Sequence, residues 1–500
     1  METEIEIKFL FSSEFESELY EKIAHHGFLS TKKQFLHNVY FDSADRSLRK
    51  MDMGLRVRSC DGRSVQTIKT AGRVIGGLHQ RPEYNDPIDG LRPVLSRFND
   101  KIWPENCDIK TLENDLIPIF STDFERQTWL VEMSDDTLIE VAYDGGFIET
   151  NQGKIDICEV ELELIKGDQK KLFVLGNEFA SLPSIRLGNV SKAQRGYMLI
   201  DNASFQVKTL SCSPIDASTN IEEALLINVQ HGLRHIQYHE NCYVETQDVQ
   251  ALDELAKGLK FLHQNLKLFQ PYLPSLLTAD WVEDLHWLAR SFSWLDTRQI
   301  YQNLLADKGY YLRKLSNTKR LVKYIEAQDA NLPEYGAVCK LLNSERYCKF
   351  ILKLTKWLIL FEKGSLLNKD EQSITDFSTG NLTGAWNALK VALSAEEIGE
   401  FSSAQGVLES ALLVGLSVGN LFLPEDSAAF RSPWLDIKQG MKEISMLNFI
   451  ADFSEQEEDL EIKEAYSKWI TRKKDSLRHA LDQSKQQALL KSPYWEKLTD

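Results

Sequence analysis

A chain of 500 residues is too long for one ordinary core, so two or three domains are expected. Hydrophobic content of 43% and charged content of 26% describe a folded, soluble protein, and a formal charge of −16 disfavours a general nucleic-acid binder because a polyanion would be repelled. Seven cysteines, an odd number without a Cys-x-x-Cys pair, argue against disulfides and a thiolate zinc site and fit reduced thiols in a cytoplasm.

The N-terminus shows no basic flank ahead of an apolar run, so no secretory leader is expected. The longest apolar stretches, such as residues 411–423, fall short of a membrane span, so no membrane partner is expected.

Residues 1–203 read as strands with a few helices. In the first eight residues Glu4, Glu6 and Lys8 alternate with Ile5 and Ile7. A strand turns successive side chains to opposite faces, so both acids and the base share one face, about 6.6 Å apart at each step of two residues. Phe15, Leu19 and Ile23 then predict a helix closed by Gly27. The same period of two recurs at residues 55–58, 65–69, 126–131, 138–142 and 159–164, with Gly76-Gly77 and Asp144-Gly145-Gly146 reading as turns. Leu172, Leu175, Phe179 and Leu182 predict a second helix before Pro183. Many strands and few helices make this an α+β unit, most simply a closed or nearly closed antiparallel barrel.

Residues 204–220 read as a polar linker. From residue 221 the strand pattern gives way to helical stripes, notably Leu252, Leu255, Leu259, Leu262, Leu266 and Phe269, and later Tyr347, Phe350, Ile351, Leu354 and Leu358. Residues 221–500 are therefore expected to form an all-α bundle.

Charge in the first half falls repeatedly on alternate strand positions. The sets are Glu4, Glu6 and Lys8; Arg56 and Arg58; Thr67 and Lys69; Arg81 and Glu83; Arg126 and Thr128; and Glu159, Glu161 and Glu163, with Glu140 and Asp144 sharing a phase. Lys192 and Arg195, three apart after Ser191, would project together from a short helix. Any one set alone reads more readily as a solvated strand face. Together, inside a barrel, they could line the lumen. Guanidinium and ammonium groups suit phosphate oxygens, whereas carboxylates repel phosphate unless a divalent cation lies between them. A metal-bound polyphosphate would explain both signs of charge.

These segments resemble the CYTH superfamily, the triphosphate tunnel metalloenzymes. The resemblance rests on Glu4-x-Glu6-x-Lys8, AsnValTyrPheAsp at 38–42, GlyLeuArgValArg at 54–58, ThrIleLysThr at 67–70, GlnArgProGluTyr at 80–84, GluValGluLeuGlu at 159–163 and SerLysAlaGlnArgGlyTyr at 191–197. With the helical second half, the chain resembles bacterial two-domain inorganic triphosphatases, a CYTH domain followed by a CHAD domain. The resemblance implies an eight-stranded antiparallel tunnel that hydrolyses triphosphate with Mg²⁺ or Mn²⁺. It assigns Lys8, Arg56, Arg58, Lys69, Arg81, Arg126, Lys192 and Arg195 to phosphate. Glu161 with Glu159 or Glu163 would hold the metal, and Glu4 and Glu6 a second metal or the attacking water. Glu83, Glu140 and Asp144 would be further tunnel residues. Inorganic triphosphate is the expected substrate. An organic triphosphate, stacked on Tyr40, Tyr84 or Trp129, and a non-catalytic polyphosphate scaffold are the alternatives.

CHAD domains are usually rich in His, Arg and Lys along their helix faces, and some bind polyphosphate. This chain departs from that pattern, with Asp253 and Ala256 where the family typically has a His and an Arg, and Asp296-Thr297-Arg298-Gln299 for its Arg-Asp-x-Asp segment. A structural or partner-binding role is expected for the helical half. His231, His235 and His239 share one predicted helix face, and without a matching acid motif they read as a structural stripe.

Overall fold

Alternation of buried and lumen-facing positions builds the first strand, with Ile7 and Phe9 fully buried behind Glu4, Glu6 and Lys8. The computed structural model describes residues 2–306, 312, 315, 318–361, 372–395 and 402–496. Its ten strands are β1 (Glu2–Leu10), β2 (Ser30–Asp42), β3 (Gly54–Cys60), β4 (Arg63–Lys69), β5 (Arg73–Ile75), β6 (Leu78–Ile88), β7 (Ile117–Glu132), β8 (Leu138–Thr150), β9 (Gly153–Lys166) and β10 (Arg186–Leu187). Eight of them close a ring in the order β1-β9-β8-β7-β2-β3-β4-β6, and β6 returns to β1 through pairs from Glu2↔Glu83 to Ile7↔Leu78. Every pairing is antiparallel. This is the expected eight-stranded barrel, with β5 added to β6 and β10 to β1. Closure leaves no free edge in the ring.

Helices form where the apolar spacing predicts them, at Glu16–His26, Lys170–Phe179, Val249–Phe269 and Glu345–Ile359. The first ends at Gly27, whose φ of +88° suits glycine. The Gly76-Gly77 turn joins β5 to β6, with Gly76 at φ +60°. The turn expected at Asp144-Gly145-Gly146 is instead continuous strand within β8. Glycine here allows close backbone approach, since a Cβ on Gly146 would overlap the Asp123 carbonyl and Phe124 of β7. Gly146→Ala should therefore destabilise the barrel by about 1–3 kcal/mol, seen as a lowered thermal transition; an unchanged transition would mean the approach is not that close.

The chain forms two units that interleave in sequence. The first comprises Met1–Gln206, Glu240–Gln247 and Gly336–Phe361, and the second Val207–His239, Asp248–Tyr335 and Glu362–Asp500. In the first unit, helix Glu345–Ile359 packs on helix Lys170–Phe179, where a Cβ on Gly176 would lie 3.4 Å from Leu352. A buried cluster reinforces it, with Tyr347 donating to Glu240 at 2.6 Å and Arg186 pairing with Glu240 at 2.9 Å. The second unit is helical in its regular elements, including long helices Pro424–Glu455 and Leu460–Leu490. Contrary to the expectation from residues 411–423, the helical segment Ala404–Leu421 is long and apolar enough to cross a membrane by length and composition. Within the fold, 61% of it is buried, as in a core helix.

Candidate active site in the barrel lumen

Because side chains alternate strictly along each strand, one phase of every strand shares the lumen. That phase carries Glu4, Glu6 and Lys8 on β1, Arg56 and Arg58 on β3, Thr67 and Lys69 on β4, Arg81 and Glu83 on β6, Arg126 on β7, Glu140 and Asp144 on β8, and Glu159, Glu161 and Glu163 on β9. Pairings across the ring then set the neighbours: Lys8↔Glu161, Asp144↔Glu159, Arg126↔Asp144 and Glu140↔Glu163. A cavity of about 780 Å³, including its open mouth, is lined by Glu4, Glu6, Lys8, Arg56, Arg58, Lys69, Arg81, Arg126, Glu161 and Lys192 from this set.

Two charged clusters result. In the first, oxygens of Asp144, Glu159 and Glu161 lie within 4.8 Å of one another, all three residues buried. Lys8 sits 2.9 Å from Glu161 and 3.3 Å from Glu159. Lys192, on helix Lys192–Ile200 capped by Ser191, reaches Asp144 at 2.7 Å and Glu161 at 3.1 Å and also pairs with Glu159. Arg126 holds Asp144 with both arms at 2.6 Å and also meets Glu161 at 2.6 Å. In the second cluster Lys69 pairs with Glu4, and with Glu83 at 2.8 Å, while Arg56 lies 3.7 Å from Glu83.

Among the described residues, three buried atoms here lack a hydrogen-bond partner: Glu159 Oε2, Arg56 Nε and Arg81 Nε. Leaving such atoms unmet is costly unless a ligand completes them. Three convergent hard oxygens with an unmet Oε2 fit a hard divalent cation, and the unmet guanidinium nitrogens fit an anion. Arg58 has no carboxylate partner among the described residues; its Nε donates to Asn38 Oδ1 at 2.8 Å. Burial, with Arg56 and Arg126 nearby, pulls its pKa down to about 9.

The acids divide electrostatically. Burial works against ionisation of Glu161 and Asp144, but Lys192, Lys8 and Arg126 hold Glu161 well below the usual range, and Arg126 with Lys192 lowers Asp144. Glu83 is likewise held down to about 2, against burial, by Lys69 and Arg56. Glu6, by contrast, is pushed up to about 8 by burial, with Glu161 and Glu4 adding repulsion, and Glu163 to about 7 by burial and Glu4. A carboxyl that holds its proton more tightly folded than unfolded stabilises the fold less as pH rises between the two pKa values. The ligand-free protein should therefore lose thermal stability from Glu6 between its ordinary value of 4.5 and about pH 8, and Glu6→Gln should flatten that fall. Equal falls in both proteins would contradict the assignment.

Placement separates the residues whose roles were carried over by resemblance. Asp144, expected as a general tunnel residue, joins Glu159 and Glu161 in the compact acid group, while Glu4, Glu6 and Glu163 lie outside it. Glu140 and Glu163 are half-buried cross-strand neighbours. Arg81 pairs with Asp52 at 2.8 Å. Arg195, although on the same helix as Lys192, donates to the Asp156 carbonyl, comes no nearer than 3.9 Å to Glu159 and lines a separate cavity with Leu10, Phe11 and Met198. Sequence reasoning missed His79, Asn38 and Ser191. His79 lies in phase with Arg81 and Glu83, so the period of two carried the signal.

The aromatic candidates are occupied in the walls: Tyr40 stacks on Phe120 at 4.4 Å, Trp129 meets Tyr20 at 5.4 Å, and Tyr84 packs on an apolar core. The histidine stripe is engaged in structural bonds. His231 bonds the Ser211 carbonyl at 3.0 Å, His235 pairs with Glu254 at 3.0 Å, and His239 Nε2 accepts from the Lys208 N–H at 3.1 Å. In the second unit Lys260 is paired with Glu409 at 3.2 Å, so part of its remaining basic charge is already met.

The CYTH domain family matches residues 2–197 and the CHAD domain family residues 228–407. An inorganic triphosphatase of Haemophilus influenzae is 39% identical over 197 residues, which are 39% of this chain and 54% of the relative. The match thus spans about half the length of that relative. Among solved structures, the CHAD domain from the plant Ricinus communis is 18% identical, covering 56% of this chain and 96% of its own, with a TM-score of 0.42. A Hippeastrum protein described as having a dominant triphosphatase activity is 19% identical, covering 40% and 96%, with a TM-score of 0.31.

Proposed function

We propose, for a chain that carries a CYTH domain over residues 2–197 ahead of a CHAD domain over residues 228–407, that its barrel hydrolyses inorganic triphosphate to pyrophosphate and orthophosphate with a divalent cation. The supporting observation is the buried acid group with its unmet Glu159 oxygen, ringed by cations of the same lumen. Identity of 39% to a named inorganic triphosphatase supports the substrate class.

Asp144, Glu159 and Glu161 would hold Mg²⁺ or Mn²⁺, which when bound neutralises phosphate oxygens and favours attack by water. Lys8, Lys192 and Arg126, now paired with those acids, would turn to phosphate oxygens as the acids gain a cation. A unit-charge pair roughly 4 Å apart is worth about 4 kcal/mol, gross, at an effective dielectric of about 20. Arg58 and Arg56 would bind phosphate oxygens without first losing a strong carboxylate contact. Attack of water on a terminal phosphorus forms one P–O bond and breaks the bridging one, releasing pyrophosphate. The chain's part is positioning and charge neutralisation. Glu6, which holds its proton up to about pH 8 in the ligand-free site, is available to exchange a proton with water once neighbouring charges are met.

For the helical region we propose a structural or partner-binding role, supported by Asp253 and Asp296 and by the Lys260–Glu409 pair; polyphosphate would bind it weakly at most. A cytoplasmic location is supported by seven free cysteines. The test is the relative kcat/KM of the full chain for inorganic triphosphate, ATP, thiamine triphosphate and pyrophosphate with Mg²⁺. Inorganic triphosphate should lead. A preference for an organic triphosphate would replace this reading with one in which a base or thiazole is recognised at the mouth.

A further inference from the structure

Beyond the charged groups, the lumen holds one buried histidine whose bonding is directed at the backbone. β6 pairs with β1 only as far as Ile7↔Leu78, and from Phe9 onward β10 takes its place beside β1. The changeover is made at Lys8. Its N–H donates to the Gly77 carbonyl and its carbonyl accepts from the Gly188 N–H, each at 2.9 Å. The Gly188 carbonyl in turn accepts from His79 Nε2–H at 2.9 Å. Both polar groups of the Gly188 peptide unit pair are thus met, one by Lys8 and one by His79. The approach is tight: a Cβ on Gly77 would lie 2.9 Å from the Lys8 carbonyl, and one on Gly188 3.1 Å from Lys8 Cγ.

Four residues beyond Gly188, Lys192 begins the helix that sets its ammonium against Asp144, Glu159 and Glu161. The outer side of this strap is held by Arg186 on Glu240 and by Asn241 donating to Asn189 at 3.0 Å. His79 holds the lumen side. It lines the cavity directly across from Glu6, and burial together with Lys8 pulls its pKa down to about 3. Its carbonyl acceptor fixes the proton on Nε2, and the neutral ring adds no charge that would compete with Lys8 and Lys192 for the acids.

We propose that His79 is a positioning residue: its Nε2–H, anchored on the Gly188 carbonyl, clasps the strap of residues 186–192 to Lys8 and so holds Lys8 and Lys192 at the Asp144, Glu159 and Glu161 group. This rests on the proposed use of that group for metal and triphosphate, and the test separates the two. In the full chain, His79→Leu removes the donor, whereas His79→Gln can offer an amide N–H to the same carbonyl. Hydrogen exchange of the peptide spanning residues 186–192 should accelerate at least tenfold in His79→Leu and return to within about threefold of wild type in His79→Gln. The metal-free calorimetric Kd for triphosphate, and KM with Mg²⁺ if the chain turns over, should weaken about tenfold in His79→Leu and recover in His79→Gln. Should His79→Leu fail to fold, His79→Asn, whose shorter amide does not span the gap, takes its place. A lowered melting temperature with unchanged strap exchange and unchanged triphosphate Kd would overturn the proposal. Triphosphate binding without hydrolysis would overturn the activity and leave the clasp standing on exchange and Kd.

Discussion

Glu161→Gln is expected to lower metal-dependent triphosphate turnover by roughly 10²–10³-fold, the scale of losing a group that organises charge at a reacting centre. Glu161 is the hub of the first cluster, touching Lys8 at 2.9 Å, Lys192 at 3.1 Å and Arg126 at 2.6 Å. It is also one of three acids close enough to share a cation. The substitution therefore has two effects of opposite sign. It removes a cation ligand, so half-saturation by Mg²⁺ should rise. It also frees part of the charge on three cations, so triphosphate should bind more tightly when no metal is present. Kinetics against Mg²⁺ concentration, paired with metal-free calorimetry, read the two separately. Weaker metal-free binding in Glu161→Gln would show that Lys8, Lys192 and Arg126 do not serve the phosphate.

Arg58→Ala is expected to weaken triphosphate binding by roughly 10- to 100-fold, the worth of a charge-assisted hydrogen bond, while leaving thermal stability unchanged or slightly raised. The stability half follows from its surroundings. Arg58 is half-buried beside Arg56 and Arg126 with Asn38 as its bonded partner, so deleting it relieves repulsion and strands no acid. Arg126→Ala makes the contrast. It leaves Asp144 and Glu161 buried without their guanidinium, a loss of about 3–5 kcal/mol. KM and melting temperature measured on both variants decide it. A large stability loss in Arg58→Ala would mean that it is a structural residue.

The barrel and most of its lumen were legible because a period of two in charge survives in the sequence whatever the strand order. Glu4, Glu6, Lys8, Arg56, Arg58, Lys69, Arg126 and Glu161 all line the cavity as their phase predicts. Which acid meets which cation depends on register across the ring, and that is not written in any one strand. Asp144 shows the cost. Followed by two glycines it reads as a turn, whereas those glycines serve close packing within β8, and its carboxylate belongs to the central acid group. Arg195 shows the limit of helical spacing: three residues from Lys192, it still turns its guanidinium to the Asp156 carbonyl. His79 was in phase but carries no charge pattern of its own. Helix Glu345–Ile359 has a clear apolar stripe, yet periodicity names a buried face and not its partner, so its place in the barrel's unit was not readable.

The most direct test of the central claim is phosphorus NMR of the full chain mixed with inorganic triphosphate, first with Mg²⁺ and then with excess EDTA. Metal-bound triphosphate cleaved in the lumen predicts equal amounts of pyrophosphate and orthophosphate with Mg²⁺, pyrophosphate that persists, and no conversion in EDTA. Conversion at the same rate in EDTA, or none with Mg²⁺, would contradict it.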